Sequence, residues 1–206
     1  MKGLFISFEG GEGSGKTTII DSLVDELEKK GFEIVRTREP GGVQIAEEIR
    51  NIILDCKNTT MCSETETLLY AASRMQHLHE KVIPALNEGK IVICDRYLDS
   101  SLVYQGYARG VGFDDVLKAN CFALNYLPNI TFFIDVTPDV GLKRLGNRQD
   151  KMDRLDKESI DFHQKVYDGY VKLCDLYSDR IVRIDGNREK EIVYKDVASR
   201  VLNVLK

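Results

Sequence analysis

Short apolar runs alternate with longer stretches of helical periodicity along the whole chain. Runs of mostly apolar residues bounded by glycine or polar residues predict strands at 4–9, 33–37, 91–94, 130–135 and 180–184. Apolar residues three and four apart predict helices at 18–30, 43–54, 63–89, 99–109, 113–126, 138–145, 157 or 159 to 177, and 189–205. Strands that alternate with helices predict an α/β fold, a five-stranded parallel sheet with helices on both faces.

The longest predicted helix carries three local signals. Ser63-x-x-Glu66 has the form of a capping box, in which the two side chains satisfy free N–H groups of the first turn. Pro84 lies inside the span and should kink or divide the helix, because proline cannot donate the intrahelical hydrogen bond. Gly89 is the expected end.

Residues 10–17 fit the pattern G-x-x-x-x-G-K-[ST] at every position. A predicted strand precedes them and a predicted helix follows, which favours a phosphate-binding P-loop over a glycine turn without a ligand. In such a loop the backbone N–H groups face phosphate oxygens, the lysine reaches the β- and γ-phosphates, and the threonine hydroxyl holds Mg²⁺. The predicted ATP contacts are Gly10, Gly11, Glu12, Gly13, Ser14, Gly15, Lys16, Thr17 and Thr18.

A second feature supports a nucleoside triphosphate site. Four apolar residues at 91–94 lead directly into Asp95, the form of a Walker B strand. An aspartate at the end of a strand can also be a simple cap, but with a P-loop upstream we predict that Asp95 and Thr17 lie beside Mg²⁺.

A basic segment lies between two predicted helices at about 144–156. It can be a solvated surface loop, or a lid that closes over ATP, excludes water and brings cations to the transferred phosphoryl group. We predict a lid, with Arg144 as an ATP contact and Arg148 as a catalytic residue. The spacing leaves open which of Arg148, Lys151 and Arg154 touches ATP.

Composition narrows the class of protein. A chain of 206 residues is enough for one domain, and a net charge of −4 argues against a protein that coats nucleic acid. Five cysteines without a C-x-x-C pair predict a reduced, cytoplasmic chain. No apolar run approaches the roughly 18 residues of a membrane span, so we expect no membrane association.

Three further segments carry arginine beside groups that could recognise a nucleotide acceptor. They read T-R-E-P-G-G at 37–42, A-A-S-R at 71–74 and D-R-Y-x-D-S-S-x-x-Y-Q-G at 95–106. Taken singly, each could be a surface arginine or a half-buried tyrosine. Together with Arg50 they offer cations for a second phosphate, an aromatic ring for stacking and an amide for hydrogen bonding.

These motifs, with F-E-G-x-E-G-S-G-K-T-T at 8–18, resemble thymidylate kinase of the bacterial type, a P-loop nucleoside monophosphate kinase. The resemblance runs from about residue 4 to 185. It implies transfer of a phosphoryl group from ATP to dTMP, with Mg²⁺, by a single kinase domain at 1–206 that forms a homodimer through its helices. Gly13 stands where another branch of the family carries arginine, which implies that cations come from the lid instead.

The resemblance also implies contacts to the phosphate and sugar of dTMP. Arg50 and Arg96 would hold the phosphate, and Arg96 is the residue expected closest to the transfer. Glu12 would contact the 3′-hydroxyl, and Tyr104 would occupy the place of a ribose 2′-hydroxyl.

For the base, the resemblance implies that Tyr70 packs on thymine while Arg74, Ser101 and Gln105 read its polar edge. Glu39, with Asp95, would order Mg²⁺ and water.

Three other functions compete with this prediction: a P-loop GTPase or motor ATPase, a deoxynucleoside kinase and a non-catalytic nucleotide-sensing module. A sensing module could lose Lys16 or the basic residues of the lid, and this chain keeps both. A GTPase would usually carry an N-K-x-D guanine reader, which the sequence lacks. A deoxynucleoside kinase would need Glu39 or Asp95 as a base for a sugar hydroxyl. Because a phosphate acceptor is already ionised near neutral pH, the favoured reaction needs no general base. The preference for dTMP over dUMP stays open, since one methyl group is worth only about 1–3 kcal/mol.

Overall fold

The computed structural model of the chain describes residues 3–145 and 153–205. The strands are β1 Leu4–Glu9, β2 Ile34–Arg38, β3 Ile91–Asp95, β4 Ile130–Asp135 and β5 Ile181–Asp185. All pair in parallel in the order β2-β3-β1-β4-β5. The predicted five-stranded parallel sheet is confirmed, and the carboxyl ends of its central strands β1 and β3 lie side by side.

Helices cover both faces of this sheet. They are α1 Lys16–Lys29, α2 Gln44–Leu54, α3 Ser63–His77, α4 Ile83–Asn87, α5 Leu98–Ser101, α6 Phe113–Ala119, α7 Pro138–Leu145, α8 Ile160–Leu176 and α9 Lys190–Val204. Two π-helical turns, Leu78–Val82 and Leu102–Ala108, and a 3₁₀ helix, Ala123–Tyr126, complete the set. No helix within the described ranges is long and apolar enough to cross a membrane.

Side-chain alternation along the central strand divides the core between the two faces of the sheet. Ile6 and Phe8 pack with apolar residues of α1 and α9 on one face. Phe5 points to the other face, where its ring lies 5.0 Å from that of Tyr97. This packing holds the loops at the carboxyl ends of β1 and β3 on a rigid base.

Pro84 divides the longest predicted helix, as expected. Helix α3 ends at His77, a π-helical turn follows, and Pro84 stands in the first turn of α4. The predicted capping box is wrong: Cys62 precedes the helix, Ser63 is its first residue and makes no side-chain cap. The Glu66 carboxylate turns inward instead, where Arg154 and Gln105 bind it.

Two other predicted helices differ in detail. The predicted helix at 113–126 ends after α6, where Asn120 follows with a φ of −105° and a ψ of 19°; its side chain accepts a hydrogen bond from Arg74 at 2.6 Å. For α8 the structure selects the second of the two predicted starts, since the Ser159 hydroxyl accepts from the backbone N–H of Phe162 at 3.2 Å.

Candidate active site

The P-loop leaves β1 at Glu9 and enters α1 at Lys16, with Thr17 and Thr18 in the first helical turn. Gly15 precedes the helix with a φ of 93°, a conformation that favours glycine. A Cβ atom on Gly13 would lie 2.0 Å from the carbonyl oxygen of Gly141, because α7 packs directly against the loop. A side chain at position 13 is therefore incompatible with this packing.

Lys16 is folded back over its own loop. Its Nζ donates to the carbonyl oxygens of Gly10 and Gly11 at 3.0 Å each and lies 3.3 Å from the Ser14 hydroxyl. Burial lowers the pKa of the Lys16 amine, and the nearby Arg96 lowers it further. The lysine is thus held by acceptors that a phosphate oxygen could replace.

The predicted metal pair is close together. The Thr17 hydroxyl donates to Asp95 Oδ2 at 3.4 Å, so the start of α1 and the end of β3 meet. Both residues line an open groove next to β2.

Arg96 connects the P-loop with a neighbouring pocket. Its Nη1 donates to the carbonyl oxygen of Gly10 at 2.9 Å, and its Nη2 pairs with the Glu12 carboxylate. Burial raises the pKa of Glu12, but Arg96 and Lys16 outweigh burial and the pKa lies below its usual range. The backbone of Arg96 has a φ of 68°, a left-handed conformation that costs a non-glycine residue about 1–2 kcal/mol.

Glu9 supports the turn that carries Arg96, a role that the sequence did not predict. Its carboxylate is buried and accepts from the backbone N–H of Tyr97 at 2.8 Å, the Ser100 hydroxyl at 2.6 Å and the Tyr170 hydroxyl at 2.8 Å. Burial and the charge of Asp99 raise the pKa of Glu9 to about 7. The sequence feature that could have indicated this role is an acidic residue at the end of an apolar strand, directly before the P-loop.

Asp99 also has a structural partner that only the fold reveals. Both carboxylate oxygens accept from the Arg180 guanidinium, at 2.7 and 2.8 Å. This bidentate pair ties the segment after β3 to the start of β5.

The pocket beside the P-loop has a cavity of about 150 Å³. It lies between the segments after β2 and β3, α2, α3 and the stretch that follows residue 152. Most of its lining consists of predicted acceptor residues: Glu12, Glu39, Arg50, Tyr70, Arg74, Arg96, Tyr104 and Gln105. The tertiary structure thus gathers eight residues from distant segments into one cavity.

Some predicted acceptor residues are engaged with protein groups. Glu39 accepts from Arg74 Nε at 2.7 Å and is 2.9 Å from His77 Nδ1, and its peptide bond to Pro40 is cis. Arg74 also donates to the Ser101 hydroxyl at 3.0 Å. Ser101 therefore lies behind Arg74, and it is Ser100 that lines the cavity.

The buried Tyr104 hydroxyl has no hydrogen-bond partner among the described residues. Arg96 lies over its ring, 5.3 Å from the centroid. Arg50 donates to the carbonyl oxygen of Pro40 at 2.9 Å and faces the same cavity.

The predicted lid divides into three parts. Arg144 donates to the carbonyl oxygen of Gly186, at 3.1 and 3.2 Å from its two Nη atoms. Arg148 and Lys151 lie outside the described residues. Arg154 donates to the carbonyl oxygen of Ile53 at 2.8 Å and binds Glu66, so it is held against α2 and α3.

The end of the predicted lid segment, at 153–156, contributes to the acceptor cavity, which the sequence did not predict. Asp153, Leu155 and Asp156 all line it. Asp153 Oδ1 accepts from the backbone N–H groups of Leu155 and Asp156 at 2.8 and 3.0 Å. No local pattern distinguishes these residues from an ordinary turn.

Comparison with known proteins shows the family of the chain. The family model described as Thymidylate kinase matches residues 8–197. The chain belongs to the thymidylate kinase family. Proteins named thymidylate kinase from Geobacillus sp. (strain WCH70) and Clostridium novyi (strain NT) are each 52% identical to it. The first alignment covers 98% of both chains, and the second covers 95% of this chain and 97% of the relative.

A thymidylate kinase from Halalkalibacterium halodurans is 51% identical over 202 residues, 97% of this chain and 96% of the relative. The predicted resemblance to bacterial thymidylate kinase is therefore confirmed. As a member of this family the chain is a nucleoside monophosphate kinase, a transferase.

Proposed function

We propose that the chain transfers the γ-phosphoryl group of ATP to dTMP, giving dTDP and ADP. The observation that carries the proposal is the position of Arg96, which lines the acceptor cavity and is bonded to Gly10 and Glu12 of the P-loop. A phosphate held by this guanidinium would lie directly beside the P-loop, as in-line transfer requires.

The cavity suits a deoxynucleoside monophosphate. We propose that Arg50 and Arg96 bind the acceptor phosphate and that Tyr70 packs on the base, with Arg74 and Gln105 at its polar edge. Tyr104 would fill the place of a ribose 2′-hydroxyl, and Glu12 would contact the 3′-hydroxyl. Ser101 would act through Arg74, whose guanidinium its hydroxyl binds.

Transfer needs no general base, because a phosphate monoester is largely ionised at neutral pH and its oxygen can attack directly. The protein then contributes position and positive charge. We propose that Lys16 exchanges its carbonyl partners for the β- and γ-phosphate oxygens. The contacts of Glu39 support a reaction without a general base, because Arg74 and His77 already bind its two carboxylate oxygens.

The residues at the nucleotide end fit Mg²⁺. Thr17 and Asp95 offer one hydroxyl and one carboxylate, 3.4 Å apart, and Mg²⁺ favours oxygen ligands while retaining water and substrate phosphates. No group of three or more His, Cys, Asp or Glu in the described residues could hold a metal by itself. Bound with ATP, Mg²⁺ would neutralise charge on the β- and γ-phosphates.

We further propose one kinase domain over 1–206 in which the segment at about 144–156 closes over ATP. Arg144 lies near the start of this segment and faces the loop after β5, a position from which it could contact the nucleotide. Arg148 keeps the catalytic role proposed from the sequence.

Assembly and location belong to the same proposal. Leu68 on α3 and Phe122, three residues beyond the end of α6, are both exposed, and α3 packs against α6, which supports a homodimer formed through helices. The free thiols of Cys62 and Cys121 are exposed, which suits the reducing cytoplasm.

A panel of acceptors tests the activity. ADP formation from ATP and Mg²⁺ is measured with dTMP, dUMP, dCMP, thymidine or no acceptor, and products are identified by mass. We expect dTDP and ADP in equal amounts with dTMP. ADP formation at the same rate without an acceptor would indicate an NTPase and contradict the proposal, while turnover of thymidine would make Glu39 or Asp95 a base.

A further inference from the structure

Behind the acceptor cavity lies a buried carboxylate that the proposed reaction does not use. Glu66 on α3 is 1% exposed and does not line the cavity. Three side chains from other elements bind it: Gln105, Arg109 and Arg154. We call these four residues the Glu66 cluster.

The cluster determines which way the Gln105 amide faces. Gln105 Nε2 donates to Glu66 Oε1 at 2.8 Å. A carboxylate can only accept hydrogen bonds, so the NH₂ group of the amide must face Glu66. Gln105 is itself buried and lines the cavity, which leaves its carbonyl oxygen Oε1 as the atom that can face a bound base.

Two guanidinium groups hold the carboxylate in place. Arg154 binds Oε2, whereas Arg109 Nε lies 3.5 Å from Oε1. Arg109 is in turn held by Glu158 at 2.6 Å and lies over the Phe162 ring, 4.5 Å from its centroid. Each charged group of the cluster is therefore paired with a group from another element, which fixes the position of the Glu66 carboxylate.

We propose that Glu66 is a positioning residue for base selectivity. It holds the Gln105 carbonyl towards the acceptor, so that the site takes pyrimidines with an N–H group at N3 and rejects cytosine. The inference rests on the proposed function, because it needs the acceptor base to lie in this cavity.

The chemistry of the bases gives the selectivity. Thymine and uracil carry a hydrogen at N3 and can donate it to a carbonyl oxygen. Cytosine has a lone pair at N3, which would face the Gln105 oxygen with no hydrogen between them. This contact disfavours the wrong base as well as favouring the right one.

The substitution Glu66→Gln reverses the constraint. The new side chain has one carbonyl oxygen, which Arg154 retains because a charged donor binds it more strongly. Its NH₂ group then faces Gln105 and turns that amide over, so that an N–H donor faces the base. Glu158→Gln is the matched control, because it makes the same change of charge on the same arginine network without touching Gln105.

The experiment measures kcat/KM for dTMP and dCMP in the wild type and both variants. We expect the ratio of dTMP to dCMP to fall by about tenfold or more in Glu66→Gln, the effect of one hydrogen bond lost or reversed. In Glu158→Gln it should stay within about twofold. In a Gln105→Leu background, Glu66→Gln should leave the ratio unchanged, which a merely structural role would not produce.

Other results would overturn the inference. If the wild type prefers dTMP and Glu66→Gln keeps that preference, the inference about Glu66 is contradicted and the proposed function stands. If the wild type does not phosphorylate dTMP, the proposed function itself is contradicted. If Glu66→Gln does not fold, NMR of the wild type decides. The side-chain NH₂ protons of Gln105, assigned by their loss in Gln105→Leu, should exchange slowly with water; exchange as fast as at surface glutamines would refute the bond to Glu66.

Discussion

At the residue scale, the Lys16 side chain already lies where the phosphates of ATP are proposed to bind. Its Nζ is buried over the P-loop and bonded to two carbonyl oxygens, so little movement separates it from bound phosphate. We expect Lys16→Ala to lower kcat by about 10²–10³-fold, the usual effect of removing a donor aimed at developing charge.

Steady-state kinetics with dTMP, together with circular dichroism, checks this expectation. Lys29→Ala, at the exposed far end of the same helix, is the control and should turn over normally. A folded Lys16→Ala variant with near-normal kcat would contradict the assignment of the P-loop.

Glu9 makes a prediction about pH. Its folded-state pKa of about 7 lies above the ordinary value of 4.5, owing to burial and Asp99, with Arg96 acting in the opposite direction. The folded state therefore holds the proton more tightly than the unfolded state. This contribution to stability is complete below about pH 4.5 and is lost as pH rises through 7.

We expect the free energy of unfolding of Glu9→Gln to be less dependent on pH than that of the wild type. The difference should grow to about 3 kcal/mol between pH 4.5 and 8, because each unit of pKa is worth about 1.4 kcal/mol. Urea unfolding over this range measures it, with the exposed Glu28→Gln as control. Parallel pH profiles for Glu9→Gln and wild type would refute the prediction.

At the scale of elements, the end of the predicted lid segment, at 153–156, is bonded to helices that precede it by about 90 residues of chain. The Arg154 side chain binds Glu66 of α3 and the last turn of α2, and this holds Asp153, Leu155 and Asp156 against the cavity. We expect Arg154→Ala to raise KM for dTMP by about tenfold, the loss of roughly one charged hydrogen bond.

KM for ATP should change by less than about twofold, because the neighbours of Arg154 that it holds in place line the acceptor cavity. Lys157→Ala, three residues along on an exposed position, serves as the control. An equal rise in both KM values would instead place Arg154 at the nucleotide and support the alternative left open by the sequence.

At the scale of the whole molecule, the exposed apolar residues of α3 and of the segment after α6 predict self-association. Leu68 is 60% exposed and Phe122 is 70% exposed. Light scattering should give about twice the 23.4 kDa of one chain, and a Leu68→Glu, Phe122→Glu double variant should give a single chain.

Leu176→Glu is the control, because Leu176 is equally apolar and is 54% exposed, but lies on a different helix, α8. We expect it to keep the mass of the wild type. A wild type that runs as a single chain at micromolar concentration would contradict the homodimer.

The sequence by itself determined those features whose information is local. Short apolar runs predict the five strands, and apolar residues three and four apart predict the helices, because each kind of element buries its apolar side chains with a local pattern. The P-loop is recognisable because its glycines, Lys16 and Thr17 act within eight consecutive residues. The acceptor residues were predicted from short motifs, and the fold brings most of them to one cavity.

Only the tertiary structure decided what depends on contacts between distant segments. Glu66 has the spacing of a helix cap, yet it turns inward because Arg154, 88 residues away, and Gln105, 39 residues away, bind its carboxylate. Glu9 ends β1, which pairs with β3 in the sheet, and its role depends on the turn after β3 that donates hydrogen bonds to its carboxylate. Burial removes water as a competing partner, so such pairings depend on the folded neighbours of a residue and not on its neighbours in sequence.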